Sequence, residues 1–100
     1  MALRIRLEDE SGYEMASVGR TSVLNPLIPS LDDEQYSLLG YIDPDGDTIF
    51  GSGQAAVLAR ELGWVKVNAY PDSLETIDEI IALANRAAAH ENLYLKFLGD

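Results

Sequence analysis

The sequence contains no cysteine, which excludes a disulfide framework and any thiolate metal site. It has one histidine, His90. Basic residues are scarce: 7 Lys and Arg stand against 17 Asp and Glu, for a formal net charge of -10. A chain charged in this way repels nucleic acid and anionic membrane surfaces. Long apolar runs are missing as well. None approaches the ~20 residues that span a bilayer, and the opening MALRIRLEDE alternates charge instead of leading into an apolar signal core. A soluble, cytoplasmic chain without a membrane segment is therefore expected.

What is present is enough apolar residue for a core. With 47% hydrophobic residues in 100, the chain is expected to fold as one domain, residues 1–100, without disulfides or a structural metal. The acids are grouped at Glu8-Asp9-Glu10, at Asp32-Asp33-Glu34, at Asp43, Asp45 and Asp47, and at Asp72, Glu75, Asp78 and Glu79. Such groups keep a small domain soluble, and they also steer a basic partner towards it.

Leu3, Ile5 and Leu7 alternate with Arg4, Arg6 and Glu8, the period of a half-buried strand, and Glu10-Ser11-Gly12 is turn chemistry leading into a returning strand over 13–18. Residues 20–35, with Pro26 and Pro29, read as a surface loop pinned by Val23, Leu24, Leu27 and Ile28. A helix is expected from about Gln54 to Leu62, with Val57, Leu58 and Leu62 on one face and Gly63 as its C-cap. WVKVNAY follows as a short strand or extended connector, the strand being favoured. A second helix begins at Asp72, its expected N-cap, with Glu75 completing a capping box. Its buried stripe is Leu74, Ile77, Ile80, Ile81, Ala84 and Ala88, and LYLKFLGD supplies a terminal strand. The expected fold class is α+β: a mostly antiparallel sheet of about four to six strands, with two helices packed on one face.

The stretch GYIDPDGDTIF places three aspartates at alternate positions, as a calcium loop does. An EF-hand also needs glycine at position six and glutamate at position twelve, where this chain has Thr48 and Gln54. Asp43-Pro44-Asp45-Gly46 instead carries proline and aspartate where a turn presets its backbone, with glycine where a positive φ is wanted. A β-hairpin is predicted, with Leu38, Tyr41 and Ile42 opposite Thr48, Ile49 and Phe50, and its acidic tip leaves a weak cation site open. Gly51-Ser52-Gly53-Gln54-Ala55-Ala56 matches G-x-G-x-x-A, the dinucleotide fingerprint. The strand before it reads as a hairpin arm and not as the first strand of a parallel unit, so a flexible helix entry is the preferred reading. No nucleophile-elbow or metalloprotease motif occurs, and His90 falls at a helix end, where it can favour the dipole. Neither enzyme activity nor a cofactor is expected.

The segments GYIDPDGDTIF and LYLKFLGD, together 19 of the 100 residues, resemble a family of small uncharacterised bacterial proteins with GYIDPxGDTxF and YLxFxGD motifs. That family has no assigned chemistry. By size, acidity and lack of catalytic motifs the chain is similar in type to the immunity proteins of bacterial polymorphic toxin and contact-dependent inhibition systems. The resemblance implies a non-enzymatic domain that binds a basic toxin and covers its active site. The residues expected to make that contact are Asp32, Asp33, Glu34, Asp43, Asp45 and Asp47. The alternatives are a metal-binding regulatory module using Asp43, Asp45 and Asp47, and a nucleotide-binding domain using Gly51-Ser52-Gly53.

Overall fold

The computed structural model describes residues 2–99. Met1 and Asp100, the last residue of the LYLKFLGD motif, lie outside the described residues. Strand β1 (Leu3–Asp9) turns into β2 (Glu14–Thr21) through the tight turn that the sequence signalled. Gly12 takes the positive φ of +84° there, a backbone that an L side chain resists. Asp9 fastens the same turn: its Oδ1 accepts the N–H groups of Ser11 and Tyr13 and the Ser11 hydroxyl. That hydroxyl first, and the N–H groups with it, hold the Asp9 carboxyl below its ordinary value.

Strand β3 (Asp47–Phe50), helix α1 (Ser52–Val65), helix α2 (Leu74–Ala88) and strand β4 (Leu93–Leu98) complete the described elements. The four strands form one antiparallel sheet in the order β2-β1-β4-β3. Its inner face is Leu3, Ile5, Leu7, Val18, Phe50, Leu95 and Phe97, all buried, and both helices pack there. Phe50 and Phe97 meet edge to face with centroids 5.8 Å apart. The fold is therefore α+β, a four-stranded antiparallel sheet with two helices on one side. The outer face carries Arg4, Arg6, Glu8, Tyr94, Lys96 and Ile49, and Arg6 lies 2.9 Å from Glu14 and 3.1 Å from Glu8.

Several local expectations are corrected. The predicted hairpin over 38–50 is absent: Leu39–Tyr41 is a 3-10 turn, and β3 pairs with β4 instead. The buried residues there are Leu39 and Ile42, three apart, which is the repeat of a 3-10 turn and not of a strand. The turn at Asp43–Gly46 does form, with the Gly46 N–H donating to the Asp43 carbonyl at 3.3 Å, but Gly46 is not at positive φ. Helix α1 does not stop at Gly63; it runs on through Trp64 to Val65, because Val65 extends the buried stripe of Leu58 and Leu62. The favoured strand over 64–70 is thus the end of α1 followed by a 3-10 turn, Lys66–Asn68, with Val67 exposed.

At α2, Asp72 is not the N-cap. It lies in a 3-10 turn, Pro71–Ser73, that runs directly into the helix, and the N-cap Ser73 makes no side-chain capping bond. The buried stripe is Ile77, Ile80, Leu83, Ala84 and Ala87, with Leu74, Ile81 and Ala88 half-buried along its edge. The two motif segments meet in space. Asp47 pairs with Leu98, Phe50 pairs with Leu95, and the Gly99 N–H donates to the Gly46 carbonyl at 2.7 Å.

Candidate functional site

All six candidate carboxylates, Asp32, Asp33, Glu34, Asp43, Asp45 and Asp47, are exposed. They fall into two groups: five lie on the long connection between β2 and β3, and Asp47 is the first residue of β3. The first group is ordered by local bonds: the Asp32 N–H donates to the Ser30 hydroxyl, the Gln35 N–H donates to Asp33 Oδ1, and the Tyr36 N–H donates to the Asp33 carbonyl. In the second group Asp43 Oδ1 accepts the Asp45 N–H at 2.8 Å, while the Asp43 N–H donates to the Thr48 hydroxyl at 3.0 Å. One oxygen of Asp43 is thus committed to its own turn. Among the described residues no group of three or more His, Asp or Glu side chains is placed to hold a metal ion.

Between the two groups the connection is fastened to α1 by a residue that sequence reading passed over. Glu61 is 1% exposed, and its carboxylate accepts four hydrogen bonds. Oε2 takes the Ser37 N–H and hydroxyl, each at 2.9 Å, and Oε1 takes the Leu38 N–H at 3.2 Å and the Leu39 N–H at 2.8 Å. These donors open the 3-10 turn Leu39–Tyr41, where backbone N–H groups have no partner within the turn. Burial pushes the Glu61 carboxyl up, but the bonds from Leu39, Ser37 and Leu38 outweigh it and leave the group below its ordinary value. A buried carboxylate is held here by donors and not by a counter-ion. The signal was present: Glu61 stands three residues after Leu58 and four after Val57, on the apolar side of the helix. One helical turn along, Trp64 stacks edge to face on Tyr36 at 5.8 Å, with the Arg60 guanidinium 5.6 Å from the Trp64 ring centroid.

The other candidates are placed as follows. Gly51 is the N-cap of α1, and the Gln54 side-chain oxygen accepts its N–H at 3.0 Å. The strand before it, β3, is antiparallel to its neighbour, so the parallel strand-helix-strand context of a dinucleotide fingerprint is not what surrounds Gly51-Ser52-Gly53. His90 is exposed in a groove of about 560 Å³ shared with Met15, Arg86 and Glu91, remote in the chain from the six carboxylates. On α2, Asp78 is bound to Lys66 at 2.6 Å. No helix among the described residues is long and apolar enough to cross a membrane. Comparison with protein-family models, curated proteins and solved structures finds no match to this chain, so its own side chains carry the functional argument.

Proposed function

We propose that this chain is an acidic, non-enzymatic protein-binding domain of the immunity-protein or antitoxin kind, which neutralises a basic toxin domain by covering its active site. The observation that carries the reading is the connection just described: two exposed acidic groups flank a segment clamped to the core by Glu61. A clamped segment loses little conformational freedom when a partner arrives, which preserves affinity. A toxin whose cleft grips a polyanionic substrate offers lysines and arginines to these carboxylates, and occlusion then needs no chemistry from the inhibitor. Such a partner would be met in the cytoplasm, and a chain of net charge -10 is unsuited to compete for nucleic acid itself.

The test is co-expression with the protein encoded beside it, followed by association kinetics of the purified pair. Growth arrested by the neighbour and restored by this chain is the expected outcome. Exposed charges act over about a Debye length, ~8 Å at physiological ionic strength, so they raise the association rate more than they slow dissociation. Replacing Asp32, Asp33 and Glu34 together by Asn, Asn and Gln should slow association about tenfold at low salt and much less at high salt. Neutralising Asp78 and Glu79 is the control and should matter less. Equal association at low and high ionic strength, with the triple variant indistinguishable from the parent, would refute the charge-based mechanism.

A further inference from the structure

Leu31 and Tyr41 each keep 64% of their surface in solvent, and both belong to the clamped connection. The backbone of Gly40 lies against Pro29 and Ser30, so closely that a Cβ there would fall 3.2 Å from the Pro29 carbonyl oxygen and 3.3 Å from that of Ser30. Leu31 and Tyr41 each follow a residue of this crossing, so their backbones leave from it. Tyr41 is also held between Leu39 and Ile42, both buried, so its ring cannot turn inward without pulling them out. With Glu61 fixing Ser37, Leu38 and Leu39, the segment displays the two apolar side chains instead of folding over them.

We propose that Leu31 and Tyr41 form the apolar anchor of a docking surface for a protein with a cationic surface, and that the adjoining Asp32, Asp33, Glu34 and Asp43 supply the charge that selects it. This rests on the function proposed above and names the contact. Tyrosine in a rigid setting is a frequent centre of binding energy, and surrounding carboxylates orient a basic partner onto it. Val67 and Tyr70 are exposed too, in the connection between the helices, but they adjoin Lys66, whose ammonium group is bound to Asp78 and weakens the field a basic partner would meet.

The probes are two hexapeptides, one alternating arginine and tryptophan and one of lysine alone, each titrated at low ionic strength into the isotopically labelled full chain and followed by amide chemical shifts. The alternating peptide should shift the amides of 30–47, most at Leu31, Gly40 and Tyr41, and bind about tenfold more tightly than hexalysine. Leu31→Ser and Tyr41→Asn, at positions too exposed to disturb the fold, should remove that advantage and leave hexalysine binding unchanged. Shifts centred on Val67 and Tyr70, or on Glu8, Glu10 and Tyr94, would overturn this surface while leaving an acidic binder standing. Equal affinity for the two peptides would remove the apolar anchor. Failure of both peptides to bind would overturn the anchor and the charge-based function together.

Discussion

Replacing Glu61 with alanine removes the acceptor of four hydrogen bonds at once, and the cost can be worked from their surroundings. The Leu39 N–H is buried and would be left without a partner, a loss of about 1–3 kcal/mol. The Ser37 and Leu38 donors are only part-buried, so water replaces some of what they lose, at roughly 0.5–1 kcal/mol each. Over the four donors the sum is about 2.5–6 kcal/mol, a large share of the ~5–15 kcal/mol that separates a folded domain from its unfolded chain. Glu61→Gln keeps one oxygen acceptor but turns an amide NH2 towards the remaining donors, so about half the loss is expected, ~2 kcal/mol.

Urea unfolding at neutral pH, with the denaturant slope unchanged, measures both variants. The comparison between parent and Glu61→Gln also has a signature in pH. The folded-state value of Glu61 lies below its ordinary 4.5, so between the two values the unfolded chain binds more protons than the folded one. The stabilisation is complete above the ordinary value and is lost as pH falls through the lowered one. Since glutamine does not titrate, the gap between the two proteins should be widest at neutral pH and close on acidification, while the other carboxylates cancel. A loss below about 1 kcal/mol for Glu61→Ala, or a gap between parent and Glu61→Gln that is flat with pH, would refute the clamp.

Gly99→Ala places a Cβ against Pro44, touching its carbonyl oxygen and lying 2.6 Å from its carbonyl carbon and 2.7 Å from the Gly46 nitrogen, all backbone that cannot swing away. Thermal or urea unfolding should show a loss of about 1–3 kcal/mol. Gly46→Val, by contrast, meets only the far end of the exposed Asp43 side chain, 2.7 Å from Oδ2, and should cost less than Gly99→Ala; the reverse order would show that the turn is misread. Millimolar calcium should move the melting temperature by less than about 1 °C, because an ion bound at ~10 mM affinity stabilises by only ~0.1 kcal/mol at that concentration. A large saturable shift would overturn this.

The long-range architecture was legible because it is written in simple periods. Leu3, Ile5 and Leu7, and Leu93, Leu95 and Phe97, alternate as strands that bury one face. The stripe of α2 was legible to within a turn: Ile77, Ile80 and Ala84 were placed on it, while Leu83 and Ala87, also buried, were missed. What misled were apolar runs whose partners are distant in sequence. Residues 36–42 contain five apolar side chains and look like a strand, yet the buried pair Leu39 and Ile42 is spaced for a 3-10 turn, and nothing local says that β3 will find β4 instead. Gly63 has the identity of a helix terminator, but Val65 continues the stripe and tertiary packing overrides the local preference. The exposed acids were legible by charge alone. The clamp behind them was not, because an acid on an apolar stripe reveals its partners only once Ser37 and Leu39 are brought to it.

The placement of β4 between β1 and β3 also fixes how the sheet would yield to a mechanical load. Arg4 stands opposite Leu98 and Asp9 opposite Leu93, so the start of β1 and the end of β4 lie at the same edge of the ladder. Tension applied between Leu3 and Leu98 would therefore peel the rungs apart in sequence from that edge, each carrying the load alone, instead of shearing all of them together. The antiparallel arrangement that makes the centre of the sheet its best-buried part also makes it compliant to a pull along this one direction, while the Gly99–Gly46 bond, on the β3 side of β4, lies outside the rungs being opened.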